Sequence, residues 1–220
     1  MGESPSLDAR TTVCELGRQM IETGLTAGTG GNVSRRIDDE QIAVSPTRMP
    51  YDEIEPADVP IVDVHGEVVA GEQPPSSETP LHTALYRARP KIGGVVHTHS
   101  TYANVFASLG EPIEPSHYQL AYVGREIPVA PFEQPGSEAL AEGVVDTMGA
   151  EHDGCLLQNH GVVTVGSTAE EAFENAQMVE FSAKIHLLAR MAGDPIVLEG
   201  ADLEGLLDGF DAYRGTPAEH

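Results

Sequence analysis

Asn32-Val-Ser-Arg-Arg-Ile-Asp-Asp-Glu-Gln-Ile-Ala-Val44 reads as two short strands, Asn32–Arg36 and Gln41–Val44, folded back on each other at the turn-like Asp38-Asp39-Glu40. The pattern returns twice. Residues 59–64 face 67–69 across His65-Gly66, and residues 155–159 face 162–165 across His160-Gly161. Hairpins in place of uniform strand–helix alternation predict an α/β chain of the α+β type, with a central, largely antiparallel sheet flanked by helices.

Working outward from the hairpins, residues 6–23 carry Val13, Leu16 and Met20 at helical spacing until Gly24 ends the pattern. Residues 77–89 form a helix stopped by Pro90, and residues 92–99 have the β-branched content of a buried strand. Residues 100–109 and 137–148 are predicted helices, with a strand over 126–129 between them. Thr168 opens the longest helix, which runs to about residue 191, and Glu171 completes a capping box. From about residue 193 the acid- and glycine-rich sequence predicts a weakly ordered tail. Residues 1–220 are expected to form one domain.

Thirty-five acidic against twelve basic residues leave a formal charge of −23, a density that repels nucleic acids and anionic membranes. Neither is an expected partner. No apolar run approaches the ~20 residues that span a bilayer, and the start, MGESPSLDAR, has neither a basic n-region nor an apolar h-region. A cytoplasmic protein is expected. Only Lys91 and Lys184 are lysines, and such an acidic chain suits a salt-rich cytoplasm, where ~1 M salt shortens the Debye length to about 3 Å. Cys14 and Cys155, without metal spacing, read as buried thiols.

His97-Thr98-His99 is the sharpest chemical feature. Alternate residues of a strand share a face, so both imidazoles can converge on one ion, for which zinc is the usual taker. Alone, the pair reads equally well as packed histidines. His160, aimed by the turn before Gly161, is a third candidate, and three histidines would leave an open position on a catalytic metal. Glu78, in Ser76-Ser77-Glu78 at a helix start, is a fourth, although acids there also serve simply as partners of the helix dipole. The loops Gly28-Thr-Gly-Gly-Asn32, Ser45-Pro-Thr47 and Ser76-Ser77 offer backbone and hydroxyl donors suited to an anion.

Taken in order, Gly28-Thr-Gly-Gly-Asn-Val-Ser34, Ser45-Pro-Thr47, Ser76-Ser-Glu78, His97-x-His99 and Gln158-Asn-His-Gly161 resemble the class II aldolase and adducin-like family over roughly residues 8–191. The resemblance implies Zn²⁺ on His97, His99 and His160, with Glu78 as acid/base. It implies phosphate binding by Gly31, Asn32, Thr47, Ser76 and Ser77. Tyr118 would serve the aldehyde oxygen from a neighbouring subunit of a homotetramer. The implied reaction is zinc-dependent, reversible cleavage of a ketose 1-phosphate of the L-fuculose type to dihydroxyacetone phosphate and a short aldehyde. Arg48 departs from the glycine of the family pattern and would bear on substrate selectivity, and Tyr213 in the tail could close over the site. Same-fold epimerase, dehydratase and decarboxylase readings stand beside it. So does a non-catalytic adducin-like interaction domain, although that form lacks the zinc histidines.

Overall fold

Ser4 starts the first helix of the computed structural model, which describes residues 4–214. Its side chain accepts the Leu7 N–H to cap α1 (Pro5–Glu22), which ends before Gly24 enters the left-handed region. The hairpin of β1 (Asn32–Arg36) and β2 (Gln41–Val44) forms at its expected bounds, with Ser34 opposite Val44. The second hairpin, β3 (Ile61–Asp63) and β4 (Val68–Ala70), is shorter than expected at its start. Pro60 accepts the Val44 N–H but has no N–H to return.

Helix α2 (Thr79–Ala88) follows, then β5 (Gly94–Thr98), α3 (Thr101–Leu109), a 3₁₀ turn at Tyr118–Tyr122, β6 (Val129–Ala130) and α4 (Glu138–Met148). The third hairpin joins β7 (Gly154–Leu157) to β8 (Gly161–Gly166), and α5 (Ala169–Ala192) completes the core. The strand expected at 126–129 is displaced. Pro128 lacks an N–H, so Ile127 makes only an isolated bridge to Ile113, and the two residues of β6 pair with β7. At the head of α5, Thr168 caps the Glu171 N–H as expected, and the Glu171 carboxylate reaches back to the N–H and hydroxyl of Ser167.

The eight strands form one sheet in the order β4-β3-β2-β1-β5-β8-β7-β6, antiparallel except for β6 with β7. Strand alternation sorts the two faces. Val33 and Val96 pack with Val13 and Met20 of α1 and Phe173 of α5. Val95 points the other way, into a cluster with Leu81 and Leu85 of α2 and Leu140 and Val144 of α4. A third cluster, around Phe106 and Val179, joins α3 and α5 over β7 and β8.

Among the described residues of the tail expected to be weakly ordered from residue 193, the structure forms α6 (Gly200–Arg214). Leu203, Leu207 and Phe210 recur at helical spacing among the acids and glycines and give this segment an apolar stripe. Phe210 stacks on Tyr118 with ring centroids 6.4 Å apart, and the Arg125 guanidinium grips the Glu204 carboxylate through two contacts of 2.6 and 2.8 Å. The side chain of Tyr213 lies outside the described residues. No described helix is long and apolar enough to cross a membrane.

Candidate active site

The register of β1 and β5 sets Asn32 opposite His97, and that of β5 and β8 sets His97 opposite Val163. His97 shares the strand face of Val95 and so points toward α2, whose N-cap is Glu78. His99 lies one residue beyond the strand, and its Nε2 comes within 3.0 Å of His97 Nε2. His160 is delivered by the β7–β8 turn, where Asn159 takes a left-handed φ of 56°. The residue after His160 has to be glycine. A Cβ on Gly161 would stand 2.5 Å from the Thr98 carbonyl oxygen and 2.9 Å from the His97 ring.

Glu78 joins these histidines. Its Oε2 lies 3.1 Å from His97 Nε2, and its Oε1 lies 3.2 Å from His160 Nε2. One ligand atom from each of Glu78, His97, His99 and His160 lies within 4.8 Å of all the others. His97 Nδ1–H donates to the Val162 carbonyl at 3.0 Å, which leaves the Nε2 lone pair facing the cluster. Burial, with His97 and His160 nearby, holds the His99 imidazole down to about 4. Burial would raise the Glu78 carboxyl, but His97 and His160 outweigh it and hold the group well below the ordinary carboxylate range. Glu78 Oε1 and His160 Nδ1 are buried without a hydrogen-bond partner. Imidazole nitrogens and a carboxylate converging on one point are the nitrogen and oxygen donor set that zinc accepts. The residues fit a divalent metal.

The polar loops gather beside this cluster. An isolated bridge between Pro46 and Pro75 joins the Ser45–Thr47 and Ser76–Ser77 loops, reinforced by Thr47 N–H to the Pro74 carbonyl and Ser76 N–H to the Ser45 carbonyl. Ser76 is buried and its Oγ accepts the Glu78 N–H, whereas Ser77 is exposed. Gly31 has φ 70°, and a Cβ there would press to 2.6 Å on the His97 carbonyl oxygen. Arg48 keeps a left-handed φ of 59° with its side chain exposed, so the arginine has taken a backbone conformation suited to glycine. Tyr118 does not join the cluster. It sits half-exposed on the 3₁₀ turn, against Phe210 of α6.

Ser34, His82 and Tyr86 of this region were given no role by the sequence reading. Asn32 Nδ2 donates to Glu78 Oε2 at 2.9 Å, and its Oδ1 contacts Nε2 of the fully buried His82 at 2.5 Å. His82 Nδ1 meets Ser34 Oγ at 2.6 Å, and Ser34 Oγ meets the Tyr86 hydroxyl at 3.0 Å. Burial first, then the neighbouring His97, holds the His82 imidazole down to about 3, so the ring is neutral. The available signal was spacing. Glu78, His82 and Tyr86 recur every four residues on one helix face, and Asn32 and Ser34 alternate on one strand face.

The model of the class II aldolase and adducin N-terminal domain matches residues 11–187. The chain is 38% identical over 206 residues to 5-deoxy-D-ribulose 1-phosphate aldolase of Bacillus thuringiensis serovar kurstaki, covering 93% of this chain and 96% of that one. It is 33% identical over 208 residues to L-fuculose phosphate aldolase of Escherichia coli (strain K12), covering 90% and 95%. A solved structure of L-fuculose 1-phosphate aldolase superposes with a TM-score of 0.90 at 35% identity, over 96% of this chain and 98% of that one.

Proposed function

Because the chain belongs to the class II aldolase and adducin N-terminal domain family and is an aldehyde-lyase, we propose that it reversibly cleaves a ketose 1-phosphate to dihydroxyacetone phosphate and a short aldehyde. The observation that carries this reading is the meeting of Glu78 with His97, His99 and His160, within reach of three polar loops. His97, His99 and His160 would hold zinc. When bound, the cation would supply Lewis-acid polarisation of the substrate oxygens.

The remaining roles fall to the chain. Breaking C3–C4 leaves an electron pair on C3, and Glu78 delivers a proton there; in the condensation direction it removes that proton. Tyr118, contributed by a neighbouring subunit, takes the proton of the C4 hydroxyl as the aldehyde forms. The backbone at Gly31 and the side chains of Asn32, Thr47, Ser76 and Ser77 bind the phosphate, and Arg48 bears on which sugar is accepted. 5-Deoxy-D-ribulose 1-phosphate and L-fuculose 1-phosphate, after which two relatives are named, are the first candidate substrates to test.

A homotetramer in a salt-rich cytoplasm completes the proposal. The shared tyrosine motivates the assembly, and the formal charge of −23 motivates the salt. The test is a coupled assay for dihydroxyacetone phosphate release by zinc-loaded protein across a panel of ketose 1-phosphates, with metal content measured on the same sample. Release from at least one of the two named sugars is expected. No release from any member of the panel by metal-loaded protein overturns the reading.

A further inference from the structure

The two oxygens of Glu78 live in different surroundings, and the cause lies outside the metal cluster. Oε2 accepts the Asn32 amide at 2.9 Å, whereas Oε1 has only the candidate metal ligand His160 beside it, its Nε2 at 3.2 Å. A carboxylate only accepts, so Asn32 turns its NH₂ toward Glu78 and its Oδ1 toward His82. His82 therefore carries its proton on Nε2, and its bare Nδ1 accepts from the Ser34 hydroxyl. Ser34 Oγ in turn accepts the Tyr86 hydroxyl proton. Every donor and acceptor direction from Tyr86 to Glu78 is fixed, and all five residues are buried. If the Asn32 amide turned over, Oδ1 would face the carboxylate and the NH₂ would face the His82 N–H, two repulsive contacts in place of two bonds.

We propose that His82 is a positioning residue that acts through Asn32, holding Oε2 of Glu78 so that Oε1 is the oxygen that carries the proton to and from substrate. The role rests on the aldolase reading above. One N–H of Asn32 goes to Glu78, and the same orientation leaves the other available to a phosphate oxygen, so His82 serves binding as well as proton transfer. Helix α2 supplies the means. Its N-cap Glu78 and its residues 82 and 86 meet positions 32 and 34 of β1, and strand and helix together make one hydrogen-bonded row.

The test uses zinc-loaded full-length protein and dihydroxyacetone phosphate alone, following exchange of its C3 proton with D₂O, the step assigned to Glu78. His82→Leu is expected to lower the exchange kcat by about 10–100-fold, the usual cost of losing a group that orients an active-site ligand, at unchanged metal content. His82→Gln, whose amide nitrogen can donate from near the Nε2 position, is expected to recover most of it. Long-range ¹⁵N–¹H spectra of the wild-type protein should show the His82 proton on Nε2. Ser34→Ala, which removes one hydroxyl, gives a second and milder variant should the leucine not fold, with a several-fold loss expected. Wild-type exchange rates in both His82→Leu and Ser34→Ala, a Gln variant as slow as Leu, or a His82 proton on Nδ1 overturns the proposal. Absence of exchange in the wild-type protein overturns the aldolase reading instead, and the proton position on His82 then still decides the direction of the row.

Discussion

Around the site, strands β1 and β5 have two faces that are equally buried and chemically opposite, and only farther along β5 does Val95 turn the second face apolar. Toward α1 and α5 they present Val33 and Val96, and toward α2 they present Asn32, Ser34 and His97, every one at most 4% exposed. Exposure alone would not tell the two faces apart. The apolar face is held by area removed from water, which is indifferent to direction and tolerates substitutions that keep volume. The polar face is held by matched donors and acceptors, so removing one partner strands another in a medium that cannot replace it. The same strands therefore pair a forgiving face with an exacting one, and the exacting one is the face to which the proposed chemistry is assigned.

The comparison breaks most visibly at Glu78. Glu78→Gln should keep the fold and the metal yet lower kcat by about 10²–10⁴-fold, because an amide neither takes nor returns a proton. Steady-state kinetics on metal-loaded variant checks this, and a near-normal kcat would place the polar face outside the reaction. Val33→Ala, next to Asn32 but on the other face of β1, should reverse the pattern. Loss of two buried methyl groups should cost about 2 kcal/mol in urea unfolding while kcat of the folded enzyme stays within a factor of two or so. A large fall in kcat there would show that the two faces are not separable.

Acid sharpens the contrast. The His82 pKa is about 3 in the folded chain against an ordinary 6.5, so the unfolded chain binds the proton more readily. The stability from this residue is complete above 6.5 and is lost as pH falls toward 3, on the order of 1 kcal/mol by about pH 5.5. His82→Gln should flatten that part of the Tm profile between about pH 6.5 and 4, and Val33→Ala should leave its slope unchanged. A Gln variant with the wild-type slope would show that the ring already carries its charge. The smallest effect is expected from salt. Screening of like charges should raise Tm by a few degrees between ~0.1 and 2 M KCl, equally in wild type and both face variants. A Tm that is flat or falls at constant metal content would remove salt adaptation from the proposal.

Much of this was readable from the chain alone, for physical reasons. The β1–β2 hairpin announces itself through a local turn and short strands, and it forms at its expected bounds. His97, His99, His160 and Glu78 stand out because their residue types and neighbouring glycines are uncommon in ordinary core, and the fold brings them together. His82 did not stand out. One histidine inside an amphipathic helix looks like packing, and its role depends on which face of β1 that helix covers, a non-local fact. The last helix was missed because Gly205, Gly209 and the acids mask the spacing of Leu203, Leu207 and Phe210. The displacement of β6 turned on Pro128, whose missing N–H matters only once its partner strand is known.

The ends of the sheet have a consequence for solubility. It is open at both sides, and β4 exposes Val68 and Val69 at its rim. An open edge with apolar side chains is the usual template for aggregation, because a stray strand can dock along its unpaired backbone. Here the edges are three residues long at β4 and two at β6. Neither offers enough consecutive N–H and C=O groups to register an incoming strand. The chain can carry an eight-stranded sheet through a crowded cell with almost no length of edge along which a second molecule could zip.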